Sequence, residues 1–172
     1  SLRAMREAHR LLGIALTAQQ INYPIFLQGE GTRSELLERF RSTNHAILIA
    51  SQSFWEGIDI KGEQLSLVVI DKLPFAPPDD PVLSARMDSL KQAGRNAFME
   101  HTLPEAVISL KQGAGRLIRD ENDRGVLMIC DPRLLSKPYG ATIWKSLPRM
   151  LRTTDADVVT RFFAHIRERQ AD

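Results

Sequence analysis

Gln112, Arg116 and Arg119 are spaced so that a helix would carry an amide and two guanidiniums on one side. At about 100° per residue, with Gln112 as origin, Arg116 falls near ~40° and Arg119 near ~340°. Val107, Leu110, Ala114 and Leu117 fall between roughly 140° and 220° on the same wheel. The stretch Leu110–Arg119 therefore joins an apolar face, fit to dock on a core, to a narrow cationic one. Arginine stays charged, and its planar fork matches phosphate oxygens in pairs. The chemistry on offer is recognition of a polyphosphate. Gly113 and Gly115 each cost about 1 kcal/mol relative to alanine inside a helix; close approach of another backbone or a ligand is the simplest offset. Spacing alone fits equally well a solvated charged face with two tolerated glycines.

A second constellation lies in Ala50–Gly62, Ala-Ser-Gln-Ser-Phe-Trp-Glu-Gly-Ile-Asp-Ile-Lys-Gly. It leaves the end of an apolar run, and the C-terminal ends of strands are where open α/β sheets bind ligands. Ser51 and Ser53 offer hydroxyls, Gly57 permits close backbone approach, and Asp59 can accept a hydrogen bond from a sugar hydroxyl. Turns use the same residues, so Gly-x-Asp alone is a weak signal. Lys72, near a strand end, can reach phosphate or be a plain surface lysine.

The elements that must position these groups are legible from pattern. Leu2, Met5, His9, Leu12 and Leu16 keep a helical period through Ser1–Thr17, apolar except at His9. Tyr23–Leu27 is a short apolar strand. Thr32-Arg33-Ser34-Glu35 is a capping box opening a helix with Leu36, Leu37 and Phe40 inward. Ala46–Ala50, Leu67–Ile70 and Val126–Cys130 are unbroken apolar runs, as expected of parallel strands covered on both faces. Leu73–Pro81, with four prolines, is a loop. Asp80-Pro81 reads as N-cap and first residue of a helix running to Gly94, and Pro104 starts the helix of the arginine stripe. Asn122–Gly125 is a turn, and Tyr139–Leu147 a further helix. Strands alternating with helices predict a three-layer α/β domain with a mostly parallel sheet over residues 1–148. Residues 149–172 form a basic linker, Arg149-Met150-Leu151-Arg152, and a helix over Asp155–Arg169 with Val158, Val159, Phe162, Phe163 and Ile166 on one side. Such a helix packs on its own domain or presents a docking face.

With 172 residues the chain is long enough for a real core. A net charge of +2 is too small to identify a nucleic-acid binder by itself. Trp55, Trp144, Tyr23 and Tyr139 are scattered, leaving no obvious stacking platform. The single cysteine, Cys130, excludes an internal disulfide and a multi-cysteine metal site; at the end of an apolar run it is expected as a buried thiol. The four histidines share no metal spacing, so no metal site is expected. No stretch is apolar enough to span a membrane and no leader is visible, which fits a cytoplasmic protein. A helical period from the second residue suggests a piece cut just after another element.

Taken together, Ser-Phe-x-Glu-Gly-Ile-Asp-x-x-Gly followed by Gln-x-x-Gly-Arg-x-x-Arg resembles motifs V and VI in the second RecA-like domain of superfamily 2 helicases. Lys72–Pro81 is similar to the corresponding stretch of the XPD/DinG-like family. The text Ser109–Asp120, with Asp131-Pro132-Arg133-Leu134 and Pro138-Tyr139-Gly140, looks most like its YoaA branch. The resemblance covers nearly the whole chain to about Leu147, and the tail more weakly.

The resemblance implies a RecA-like fold and an ATP site at a cleft between two such domains. Arg116 and Arg119 would face the γ-phosphate, one of them as the arginine finger, and Gln112 would orient the attacking water or contact that phosphate. Gly57 and Asp59 would touch the ribose, Glu56 would order the loop, and Gly115 would give clearance. Ser51, Ser53, Phe54 and Trp55, with Lys72, would hold one strand of DNA. The P-loop, the Mg²⁺ ligands and a four-cysteine 4Fe-4S domain belong to a first helicase domain that this sequence does not contain. ATP with Mg²⁺, single-stranded DNA and that first domain are thus the implied partners, with 5′ to 3′ movement. Relatives of this branch are associated with the chi subunit of the replicative clamp loader, for which Arg152, Thr153, Phe162 and Phe163 are the docking candidates.

Overall fold

The computed structural model describes residues 2–54, 65–77, 80–118 and 123–171. Its first part is built on α1 (Leu2–Ala18), β1 (Ile25–Leu27), α2 (Arg33–Ser42) and β2 (Ile47–Ile49). Met5, His9, Leu12 and Leu16 turn inward on α1, whereas Leu2 is exposed, and α1 lies against β1 and β2. The capping box forms: Thr32 Oγ1 accepts the Glu35 N–H at 3.3 Å and Glu35 accepts the Thr32 N–H at 2.8 Å. Two donors that the first helical turn leaves unpaired are thereby satisfied. β1 and β2 pair in parallel, Ile25 opposite Ile47 and Leu27 opposite Ile49. Phe26, Leu36, Leu37, Phe40 and Phe54 form the core beneath.

The second part contains β3 (Leu67–Ile70), α3 (Pro81–Gln92), α4 (Leu103–Leu117), β4 (Val126–Ile129), α5 (Arg133–Ser136), α6 (Gly140–Ser146) and α7 (Ala156–Ala171). Asp80 caps α3 by accepting the Val82 and Leu83 N–H groups at 2.9 and 3.0 Å. A single wide turn of π type, Phe98–Thr102, leads into α4, so the helical path begins before Pro104. β3 and β4 pair in parallel from Leu67 opposite Val126 to Ile70 opposite Ile129. The helices between them make the crossover that parallel neighbours require. Ile70, Leu73, Leu103, Leu110, Ala114, Leu134, Ile143 and Leu147 make the larger core.

The chain is thus a mixed α/β fold with parallel strands, as its alternation of patterns predicts. The strands stand in two pairs among the described residues. Covering on both faces is not seen for β3 and β4. Val68, Leu127 and Ile129 pack on the core that holds α4, but Leu67, Val69 and Met128 remain 43–53% exposed. Strand side chains alternate between faces, and α4 covers only one. Cys130 also departs from expectation, being exposed. It lies beyond the last paired residue of β4, where its N–H still reaches Ile70 O but its side chain leaves the core. Gly125 allows the chain entering β4 to press on α4: a Cβ there would run into the Leu117 side chain and come within 3.0 Å of Ser66 O.

Leu110 is fully buried in the larger core, and Ile108 on the same helix is 53% exposed. Leu110→Ala is expected to lower unfolding free energy by about 2–5 kcal/mol through lost transfer energy and cavity formation. Ile108→Ala should cost less than about 1 kcal/mol. Urea unfolding of the two variants checks the orientation of α4; equal costs would contradict it.

Candidate functional site

The burial of α4 decides what its other side presents. Ala106, Leu110, Gly113, Ala114 and Leu117 face inward, so Gln112 is exposed and Arg116 half-buried on the opposite side. The Arg116 Nε is sealed from solvent and has no hydrogen-bond partner among the described residues. A buried donor without an acceptor costs roughly 1–3 kcal/mol. Around Gly115 there is open space, with no atom within 4 Å of where a Cβ would stand. Among the described residues no backbone accounts for that glycine. Arg119 lies outside the described residues.

The turn after β2 is tied on several sides. Ser51 donates its N–H to Gln28 Oε1 at 2.7 Å, and Phe54 closes the turn by donating to Ser51 O at 2.9 Å. The Ser51 and Ser53 hydroxyls are 2.9 Å apart. Gln52 donates from Nε2 to Ser109 Oγ on α4 at 2.6 Å. Phe54 corrects the expectation of a nucleic-acid contact: its ring is buried with Phe26 and Phe40, beneath the Arg33 guanidinium 5.5 Å above it. Its backbone is also engaged, the N–H with Ser51 and the carbonyl accepting from Arg33 at 3.4 Å. Trp55, Glu56, Gly57 and Asp59 lie outside the described residues.

The segments after β3 and β4 leave the same sheet edge. Lys72 is exposed there, between buried Ile70 and buried Leu73. The Asp131 carboxylate is buried and accepts four kinds of donor: the Leu73 N–H at 2.9 Å, the Arg133 N–H at 2.9 Å, and Arg133 Nε and Nη2 at 3.0 and 2.6 Å. The Arg133 side chain, through these bonds and its charge, outweighs burial and holds the Asp131 carboxyl well below the usual range. The same pairing raises Arg133. Arg133 also sits 5.2 Å above the Phe75 ring.

Phe75, Phe98 and Tyr139 meet with centroids 5.1–5.7 Å apart. Sequence reading found no such cluster because the three rings come from separate segments. The parallel neighbourhood of β3 and β4 was the signal that would have placed Phe75 and Tyr139 together.

In the linker, Arg152 donates to Trp144 O at 2.8 Å and lies 4.8 Å over the Trp144 ring. Thr153 Oγ1 accepts the Asp155 N–H at 3.0 Å, and Asp155 in turn accepts from Asp157 at 2.9 Å, which starts α7. Phe162 and Phe163 are half-buried and meet edge to face at 5.5 Å. The structure therefore brings Arg152 to α6.

Residues 1–150 match the family model described as "Helicase C-terminal domain". The chain is 56% identical over 141 residues to the ATP-dependent DNA helicase YoaA of Escherichia coli, covering 82% of this chain and 22% of that protein. It is 53% identical over 138 residues to the protein of the same name in Haemophilus influenzae, covering 80% of this chain and 22% of that protein. To the ATP-dependent helicase DinG of Mycobacterium tuberculosis it is 38% identical over 159 residues, covering 92% of this chain and 23% of that protein. The chain thus spans about a fifth of the length of these relatives.

The depressed Asp131 pKa fixes the sign of a pH effect. Its stabilisation is present above the ordinary carboxylate value of about 4 and fades as pH falls toward the lower folded value. Asp131→Asn should cost about 1–3 kcal/mol at neutral pH. The difference from the parent chain should shrink below about pH 4. Chemical denaturation across pH checks this; a pH-independent difference would remove the charge from the account.

Proposed function

Because the chain belongs to the helicase C-terminal domain family, we propose that it is the second motor domain of an ATP-dependent DNA helicase. In this reading α4 supplies the far wall of an ATP site that closes against a first domain. The observation that carries it is Arg116, half-buried with an unpartnered Nε beside the open space at Gly115. Those features fit oxygen acceptors of a polyphosphate arriving from outside the chain. Arg116, with Arg119, neutralises charge that develops during phosphoryl transfer, an effect worth about 10³–10⁵ in rate for an arginine finger. Gln112 orients the attacking water or touches the γ-phosphate. Glu56, Gly57 and Asp59 serve the ribose side and its loop.

The turn Ser51–Trp55 holds a single strand of DNA through backbone N–H groups and the Ser51 and Ser53 hydroxyls, with Lys72 adding charge at the neighbouring edge. Binding of ATP bridges the two domains, hydrolysis releases the bridge, and repeated closure advances the strand, 5′ to 3′ in our reading. Mg²⁺ accompanies ATP and contributes charge neutralisation, its ligands lying in the first domain. A 4Fe-4S cluster does not fit this chain, which has one cysteine, and belongs in this reading to the first domain. The setting is cytoplasmic DNA repair. No described helix is long and apolar enough to cross a membrane.

Arg116→Ala in the full-length polypeptide should lower ATP turnover by about 10³-fold or more, while single-stranded DNA affinity stays within a few fold. Phosphate release and fluorescence anisotropy measure the two. Unimpaired turnover would refute the role given to Arg116.

A second reading concerns residues 149–172, which we take as a docking tail beyond the motor domain of residues 1–148. It is favoured by α7, whose apolar side, Val158, Val159, Phe162, Phe163 and Ile166, belongs to neither core and stays partly exposed. We assign it to the chi subunit of the clamp loader, with Arg152 and Thr153 setting the approach of the helix and Phe162 and Phe163 as apolar anchors. Removing residues 149–172 from the full-length polypeptide should abolish capture of purified chi in a pull-down. Capture at the parental level would refute the assignment.

A further inference from the structure

The Gln52 amide reaches from the turn after β2 to Ser109 Oγ at 2.6 Å. Among the described residues it is the one side-chain hydrogen bond from that turn to α4. The other ties of the turn run to Gln28 beside β1 and to Arg33 on α2. The place where it lands matters. On the helical wheel that takes Gln112 as origin, Ser109 falls at about 60° and Arg116 at about 40°. Ser109, Gln112 and Arg116 therefore occupy one stripe, and the bond attaches the turn to the polar face of α4 while the apolar face is held by the core. Hydrogen bonds and rigid secondary elements are the physical links through which coupling between two sites can pass, and this bond with the helix it lands on forms such a link.

We infer that the Gln52–Ser109 hydrogen bond couples DNA occupancy of the 51–54 turn to the placement of Gln112 and Arg116, so that bound DNA speeds ATP hydrolysis through it. This rests on the reading of the turn as a DNA contact and of α4 as an ATP-site wall. Neither side chain touches DNA or nucleotide in that reading, and each substitution leaves the backbone of the turn unchanged; both are positioning residues. Gln52 is exposed and Ser109 half-buried, so their loss leaves both cores intact.

The test uses the full-length polypeptide carrying Gln52→Ala, Ser109→Ala, both together, or the conservative Gln52→Glu and Ser109→Thr. Gln52→Glu keeps an oxygen that accepts the Ser109 hydroxyl proton, and Ser109→Thr keeps the hydroxyl. ATP turnover is measured without DNA and with saturating oligo-dT, and DNA affinity by anisotropy. The expected result is DNA-free turnover and DNA affinity within twofold of the parent. Stimulation by DNA falls by about 3- to 10-fold in each alanine variant. The double variant falls no further than either single one, and the two conservative variants retain stimulation. Undiminished stimulation in either alanine variant, or losses that multiply in the double variant, would overturn the coupling. A parent protein that hydrolyses ATP with no response to oligo-dT would overturn the functional reading beneath it, and the coupling with it.

Discussion

Ala106, Leu110, Ala114 and Leu117 on α4 are no more than 3% exposed, and this stripe sets the orientation of everything that α4 carries. Rotating the helix by one residue position would put Lys111 in place of Leu110 or Arg116 in place of Leu117 in the core. Each buried leucine contributes about 1.5–3 kcal/mol of transfer energy, and an unpaired buried charge costs far more. The outward direction of Gln112 and Arg116 is therefore a consequence of packing. It requires no bond of their own, which leaves their hydrogen-bonding capacity for a ligand. The open space at Gly115 lies on this outward side, where a side chain would only narrow the approach.

The parallel pairing of β3 with β4 supplies the second constraint. Parallel strands send their following segments off the same edge, so Lys72–Phe75 and Asp131–Arg133 become neighbours although far apart in sequence. The Asp131 carboxylate fixes that neighbourhood by accepting from Leu73 on one segment and Arg133 on the other. Burial alone would raise its pKa. The bonds from Arg133 and the two backbone amides reverse the sign, which identifies the site as a satisfied structural pair and leaves Lys72, among the described residues, as the exposed cation at that edge.

Much of this was legible because local rules governed it. The apolar stripe of α4, the Thr32 capping box and the Asp80–Pro81 helix start depend on residues within a turn or two of one another, and these appear as read, although α4 ends at Leu117 with Ile118 extended, short of the expected helical position of Arg119. So do the four apolar runs as strands, and the motifs placed the chain in its family. What failed was tertiary. Apolar runs do not reveal which face a helix will cover, so exposed Leu67, Val69 and Met128 went unforeseen, as did exposed Cys130. Phe54 read as part of a ligand loop, yet a phenyl ring next to Phe26 and Phe40 gains more from burial than from solvent. The Phe75–Phe98–Tyr139 contact and the Arg152–Trp144 stack join segments whose meeting follows from strand order and helix packing, neither of which a linear pattern encodes.

The two cores divide the labour of the proposed site. One holds the turn after β2 through Phe54, and the other holds α4 through Leu110 and Leu117. Groups anchored in separate cores keep their own geometry when the distance between them changes, because close-packed interiors resist deformation. A surface hydrogen bond between such groups stabilises the fold by only about 1 kcal/mol, yet it senses their relative displacement directly. Gln52 and Ser109 stand at that junction. A bond there is poorly suited to holding the domain together and, in the proposed reading, well suited to reporting on the arginine face of α4 what the neighbouring turn would bind.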